Sequence, residues 1–227
     1  MSLPLLPQPG RREALRLAAG TAVYLAMTAS PIAALAQTAP GGAPLKIATI
    51  GAGREGGALG TLFAKAGTVA EAIAFADVVL LVVPYTAVGQ IGKEHGKALA
   101  AKALVMDVSN PIAQRDGEEL VKSVEQQGGA GLATAALLPG AHLVRAFNAI
   151  GFAQLPQLAH RQGDPAGVPI AGDDQNALAI ASRLIKEIGF EPVVVGGLAM
   201  GKYLVPRTPL AGVHTPDEIR QIAATLK

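Results

Sequence analysis

Gly51-Ala52-Gly53-Arg54-Glu55-Gly56 is the stretch of this 227-residue chain whose residue types and spacing point most directly to chemistry. It fits G-x-G-x-x-G, preceded by the apolar run LKIATI (45–50) and followed by ALGTLFAKAG (58–67), which reads as a helix stopped at Gly67. In that setting each glycine has a task. The first allows a tight turn, the second lets a pyrophosphate approach the backbone, and the third lets helix and strand pack closely. The free N–H groups of the helix start then face an anion. A purely structural glycine turn is the alternative reading.

Two further turns sit where ligands of open α/β sheets lie, beyond the carboxyl ends of strands. VVLLVV (78–83) runs into Pro84-Tyr85-Thr86, and LVMD (104–107) runs into Val108-Ser109-Asn110-Pro111. Asn148 follows HLVRAF (142–147) in the same way. Pro84, Tyr85, Asn110 and Asn148 are therefore candidates for the reactive end of a dinucleotide, with ordinary turn chemistry as the competing use. His95, His142, His160 and His214 share no metal-ligand spacing, and no Ser-His-Asp order is defensible. A metal site is not expected, and no residue is assigned a catalytic role.

The elements that must position these residues are short strands alternating with helices. Thr68 and Glu71 have capping-box spacing for a helix to about Phe75. Helices are expected over 87–102, 117–127, 132–138 and from Ala177 to Ile188, and strands over 142–147, 167–171 and 192–195. Thr215, Pro216 and Glu218 start a last helix. This order predicts an α/β, Rossmann-like fold with a largely parallel sheet and helices on both faces.

Composition narrows the function classes. Half the residues are hydrophobic and there is no Cys, which excludes a disulfide framework, thiolate zinc sites and thiol catalysis. The formal charge of +2 comes from the first 36 residues, which hold Arg11, Arg12, Arg16 and Glu13; the remainder carries equal numbers of each sign. A nucleic-acid partner, which needs a positive footprint, is not expected. GRREALR (10–16), an uncharged run from Leu17 to Gln37 and the small-x-small Ala34-Leu35-Ala36 resemble a twin-arginine signal peptide. The predicted organisation is thus a signal over 1–36, a leader over 37–44 and the folded domain over 45–227, with a periplasmic location and membrane contact only through the export signal.

KIATIGAGREGGALGTLFAKAG, ADVVLLVVPYTAV, ALVMDVSNPI, HLVRAFNAIGF, PIAGDD and VVVGGLAMGKYLVP together resemble the dinucleotide-binding enzymes related to NADPH-dependent deazaflavin (coenzyme F-420) reductase. The resemblance runs from about Lys46 to the end. It implies binding of NADP, with NAD as the alternative, and hydride transfer to a flavin-like or other small acceptor; pairing as a homodimer is left open. It also implies pyrophosphate contacts at Gly51, Ala52, Gly53, Arg54, Glu55 and Gly56, and nicotinamide-side contacts near Val83, Pro84, Tyr85, Asn110 and Asn148.

One departure stands out. Relatives follow the first helix with a strand, a loop, a helix and a short strand, about 25 to 30 residues that include the group reading the adenosine ribose. Here Ala66-Gly67 runs straight into Thr68-Val69-Ala70-Glu71, so the sheet is expected to be truncated on that side. Glu71 has roughly the right count from Gly51 but belongs to a helix, which argues against it as a ribose ligand. The shortened connection leaves three outcomes open: the helices re-place themselves, the 78–83 strand moves into the vacated position, or stability is lost.

Overall fold

The computed structural model describes residues 22–25, 45–51 and 64–226. Among the described residues eight strands form one sheet: β1 (Ala22–Leu25), β2 (Ile47–Ile50), β3 (Ala64–Gly67), β4 (Val78–Leu81), β5 (Leu104–Asp107), β6 (Leu143–Arg145), β7 (Gly167–Gly172) and β8 (Glu191–Gly196). Their order is β3-β1-β2-β4-β5-β6-β7-β8. The run β2-β4-β5-β6 is parallel, and so is β7 beside β8. Antiparallel pairs occur at β6/β7 and on both sides of β1.

The helices are α1 (Val69–Phe75), α2 (Tyr85–Ala100), α3 (Ala113–Asp116), α4 (Glu118–Gln126), α5 (Ala130–Leu137), α6 (Leu155–Leu158), α7 (Gln175–Glu187) and α8 (Pro216–Thr225), with a 3-10 helix at Leu198–Tyr203. Successive strand side chains serve opposite faces. Ala48, Ile50, Val79, Leu81, Val105 and Leu143 pack with Ile73 of α1 and with Tyr85, Val88 and Leu99 of α2. Val78, Leu104, Met106 and Val144 pack with Ala177, Leu178, Ala181 and Ile185 of α7. Burial on both faces is why these strands read as unbroken apolar runs instead of alternating ones.

The capping boxes at Thr68/Glu71 and Thr215/Glu218 are present. Both form within four residues and need no tertiary partner. Elsewhere the structure corrects the expected elements. Ala64–Gly67, expected as the end of a helix, is a strand paired with β1; long-range pairing outweighs local helix propensity there. The rest of that expected helix lies outside the described residues. The 117–127 helix is divided from α3 by Gly117 at φ 91°, and α5 starts two residues earlier than expected, after Gly129 at φ 98°. The 142–147 strand shortens to Leu143–Arg145 because Phe147 turns the chain at φ 63°.

The 78–83 strand does not move into the vacated position. β4 stays beside β2, and the vacated side of β2 is taken by β1 and, beyond it, β3. Since β1 is antiparallel to both β2 and β3, β3 runs parallel to β4, and α1 joins them as a crossover helix.

Candidate functional site

The registers Ile50↔Leu81, Leu81↔Asp107 and Asp107↔Arg145 bring the carboxyl ends of β2, β4, β5 and β6 into one row. Along that row follow Gly51, then Val82 to Pro84, then Val108 to Pro111, then Ala146 to Asn148. Gly51 has φ 115°, and a Cβ there would lie 2.1 Å from the Val82 carbonyl oxygen. The first glycine of the motif is thus required by the neighbouring strand before any ligand is considered. Ala52, Gly53, Arg54, Glu55 and Gly56 lie outside the described residues.

Asn110 and Asn148 are brought together. Asn110 Nδ2 donates to the Asn148 carbonyl at 2.8 Å, and Asn148 Nδ2 donates to the Ser109 carbonyl at 3.0 Å. Val83 is half-buried and Pro84 is exposed, immediately before the first turn of α2. Tyr85 is placed differently from what a nicotinamide-side contact suggests: its side chain is only 2% exposed and turns into the core, 3.2 Å from Thr134 Oγ1.

Sequence reasoning missed the group that holds these turns together, the buried ion pair of Asp107 and Arg145. Both side chains are fully out of solvent, and Arg145 Nη1 donates to Asp107 Oδ2. Arg145 Nη2 donates to the Ser109 carbonyl at 3.0 Å and to Asn110 Oδ1 at 3.3 Å. Asp107 Oδ1 accepts from the Ser109 N–H at 2.8 Å and from the Ser109 hydroxyl. Thr134 Oγ1 lies 3.0 Å from Asp107 Oδ2. A carboxylate can only accept and a hydroxyl has one proton, so Thr134 donates to Asp107 and Tyr85 donates to Thr134. Burial pushes the Tyr85 phenol above its ordinary range, which keeps it protonated in this role. The available signal was a lone acid and a lone base at the ends of two apolar strands, VMD and LVR.

The stem of Arg145 is clamped by backbone. A Cβ on Gly201 would come within 2.8 Å of Arg145 Cδ and 2.7 Å of the Gly131 Cα, and one on Gly131 within 1.9 Å of the Leu198 carbonyl oxygen. The 3-10 helix therefore presses directly on α5 and on the ion pair. The Ser109–Pro111 turn has a second anchor: Arg115 Nη2 donates to the Asn110 carbonyl, and Asp116 accepts from the Ile112 N–H at 2.9 Å. Burial would raise the Asp116 carboxyl, but its bonds from Arg115 and from the Ile112 N–H outweigh this and hold it below the usual range.

Two observations fit a dinucleotide along this edge: the positive-φ glycine turn directly after β2, and Asn148 Oδ1, a buried acceptor with no partner among the described residues, beside the Ser109–Asn110 turn. Among the described residues no three His, Asp or Glu side chains cluster as a metal site. His142 bonds Asp174, the cap of α7, at the opposite end of β6. Among the described residues no helix is long and apolar enough to cross a membrane.

A parallel run of strands with helices on both faces, and with its turns and glycine at the carboxyl edge, settles the architecture. The fold is Rossmann-like. No protein-family model and no curated protein matches the chain. Among solved structures, a hypothetical protein from Sinorhizobium meliloti is 28% identical, with 63% of this chain and 67% of that one covered and a TM-score of 0.50. A provisionally named F-420-dependent NADP reductase from Arthrobacter is 20% identical over 59% of this chain, with a TM-score of 0.48. A pyrroline-5-carboxylate reductase from Coxiella burnetii is 16% identical over 68% of this chain, with a TM-score of 0.36. This chain spans 60% of the length of the Arthrobacter protein and 43% of the Coxiella protein.

Proposed function

We propose that this Rossmann-like chain is an NAD(P)-dependent oxidoreductase that moves a hydride between nicotinamide and a flavin-like or other small acceptor. The observation carrying this reading is the Asp107–Arg145 pair, which fixes the Ser109–Asn110 and Asn148 turns beside Gly51 at the carboxyl edge of the sheet. The bound cofactor supplies the hydride chemistry. The chain's own part is to bind and orient: Gly51, with Ala52, Gly53, Arg54, Glu55 and Gly56, for the pyrophosphate, and Val83, Pro84, Asn110 and Asn148 for the nicotinamide side. Tyr85 contributes through its backbone and through Thr134. Positioning of this kind supports catalysis without a dedicated acid or base.

One observation favours a second reading, a dinucleotide-binding module with impaired catalysis. The place beside β2 where relatives carry the ribose-reading strand holds AVYL of β1, which has no acid and no Arg. Weak discrimination between NADP and NAD is the expected result. Export by the twin-arginine route is part of the proposal and rests on GRREALR and Ala34-Leu35-Ala36.

The test has two stages. Titration of the purified chain with NADPH and NADH measures binding, and loss of reduced-nicotinamide absorbance with flavin acceptors measures turnover. Binding with turnover supports the oxidoreductase, binding without turnover with any acceptor supports the impaired module, and no binding refutes both.

A further inference from the structure

Arg115 stands at the carboxyl edge with part of its guanidinium unused. With Asp116 it closes the one-turn helix α3, just after the Ser109–Pro111 turn. Arg115 grips the Asp116 carboxylate side-on, with Nε 3.0 Å from Oδ1 and Nη2 2.8 Å from Oδ2, and Nη2 also donates to the Asn110 carbonyl. The Ile112 N–H holds the same carboxylate, and the Thr86 N–H in the first turn of α2 acts on it as well. The pair therefore ties the turn after β5 to the turn after β4.

Its two halves differ in exposure. The Asp116 side chain is fully buried, whereas that of Arg115 is 43% exposed. Nε and Nη2 are committed to Asp116 and Asn110, while among the described residues Nη1 donates to nothing. A free surface arginine loses side-chain entropy when it binds an anion; this one has already been fixed by folding. Asn148, whose buried Oδ1 is without a partner among the described residues, is bonded to Ser109 and Asn110 of the same turn.

We propose that Arg115 determines which acceptor the site takes, by donating from Nη1 to a phosphate on the acceptor's tail. This rests on the hydride-transfer reading for the identity of the second ligand. A phosphate presents acceptor oxygens in many directions, which suits a donor that cannot turn to meet its ligand. The pyrophosphate of the dinucleotide is assigned to Gly51 after β2, and Arg115 anchors the turn after β5, with β4 between them. At about 4.8 Å per strand the two positions are roughly 10 Å apart, so the guanidinium is left for a second molecule.

The probes are FMN and riboflavin, which share a ring and differ by a phosphate. Quenching of flavin fluorescence by the full chain reads binding without turnover, and a parallel titration with NADPH tests the proposed function separately. FMN should bind at least about tenfold more tightly than riboflavin, the worth of one hydrogen bond to a charged group. Inorganic phosphate should weaken FMN alone. In Arg115→Gln the ratio of the two dissociation constants should fall to below about threefold, whereas a merely structural arginine would shift both flavins alike and leave the ratio intact. If Arg115 instead holds the dinucleotide's own pyrophosphate, the variant loses NADPH affinity and keeps the ratio. That result, equal binding of the two flavins by wild type, binding of neither, or FMN binding indifferent to phosphate would overturn the proposal, and the wild-type measurements decide even if the variant does not fold. Failure of NADPH to bind, with the flavin ratio as expected, counts against the proposed function and leaves the phosphate site standing.

Discussion

Replacing Arg145 with Met keeps most of the stem that lies against Gly201 but removes the guanidinium. Asp107 is then a buried carboxylate with Ser109 and Thr134 as its remaining partners, and the Ser109 carbonyl and Asn110 Oδ1 each lose a donor. Removing one partner of a fully buried pair costs about 3–5 kcal/mol. For a domain of this size about 1 kcal/mol moves Tm by roughly 2–4 °C, so the midpoint should fall by about 6–20 °C. Urea melts followed by far-UV dichroism give the free energy, and titration with NADP, under conditions where the variant is folded, gives the effect on the site. Arg145→Met with Asp107→Asn should recover part of the loss, because the charge left behind is what costs most. A single variant that loses less than about 1 kcal/mol, or a double variant less stable than the single one, would refute the assignment of Arg145 as the group that holds the turns.

Three further outcomes follow from the same geometry. Gly51→Ala should destabilise the chain by about 1–3 kcal/mol in melts without nucleotide, since its Cβ meets the Val82 carbonyl, whereas Gly53→Val should abolish nucleotide binding in calorimetry and leave the melt nearly unchanged. Tyr85→Phe should cost about 1 kcal/mol and leave the dissociation constant for NADP unaltered, because the phenol donates to Thr134 inside the core. Asp116 has a depressed folded-state pKa, so its stabilisation is present above the unfolded value and lost as pH falls through the folded one. The stability gap between wild type and Asp116→Asn, measured in melts, should therefore be full near neutral pH and shrink as the pH falls below the ordinary carboxylate range.

The sequence made legible what forms over short stretches. Thr68 with Glu71 and Thr215 with Glu218 announce their helices because both halves of the cap lie within four residues. The carboxyl-edge turns at Ser109–Pro111 and Asn148 could be placed because apolar runs end abruptly before them. What stayed hidden depends on register between distant segments. Asp107 and Arg145 meet only because β5 and β6 align in parallel, and nothing local tells a buried pair from two surface charges. Tyr85 reads as a turn residue until α5 brings Thr134 over it. The strand character of Ala64–Gly67 exists only because β1 pairs with it; taken alone, AKAG is helix-forming.

The direct seat of Gly201 on Gly131 also decides how the site responds to its medium. With no Cβ on either side, backbone closes over the Arg145 stem, and the charges of Arg145 and Asp107 lie where dissolved ions do not reach. Counter-ions weaken exposed pairs such as Arg183–Glu187 and Arg220–Asp217, whose charges face water. The pair under the 3-10 helix is insulated from that screening, so the spacing of the Asn110 and Asn148 turns holds constant from dilute buffer to brine. The Ser109–Pro111 and Asn148 turns would keep one shape whatever the salinity around them.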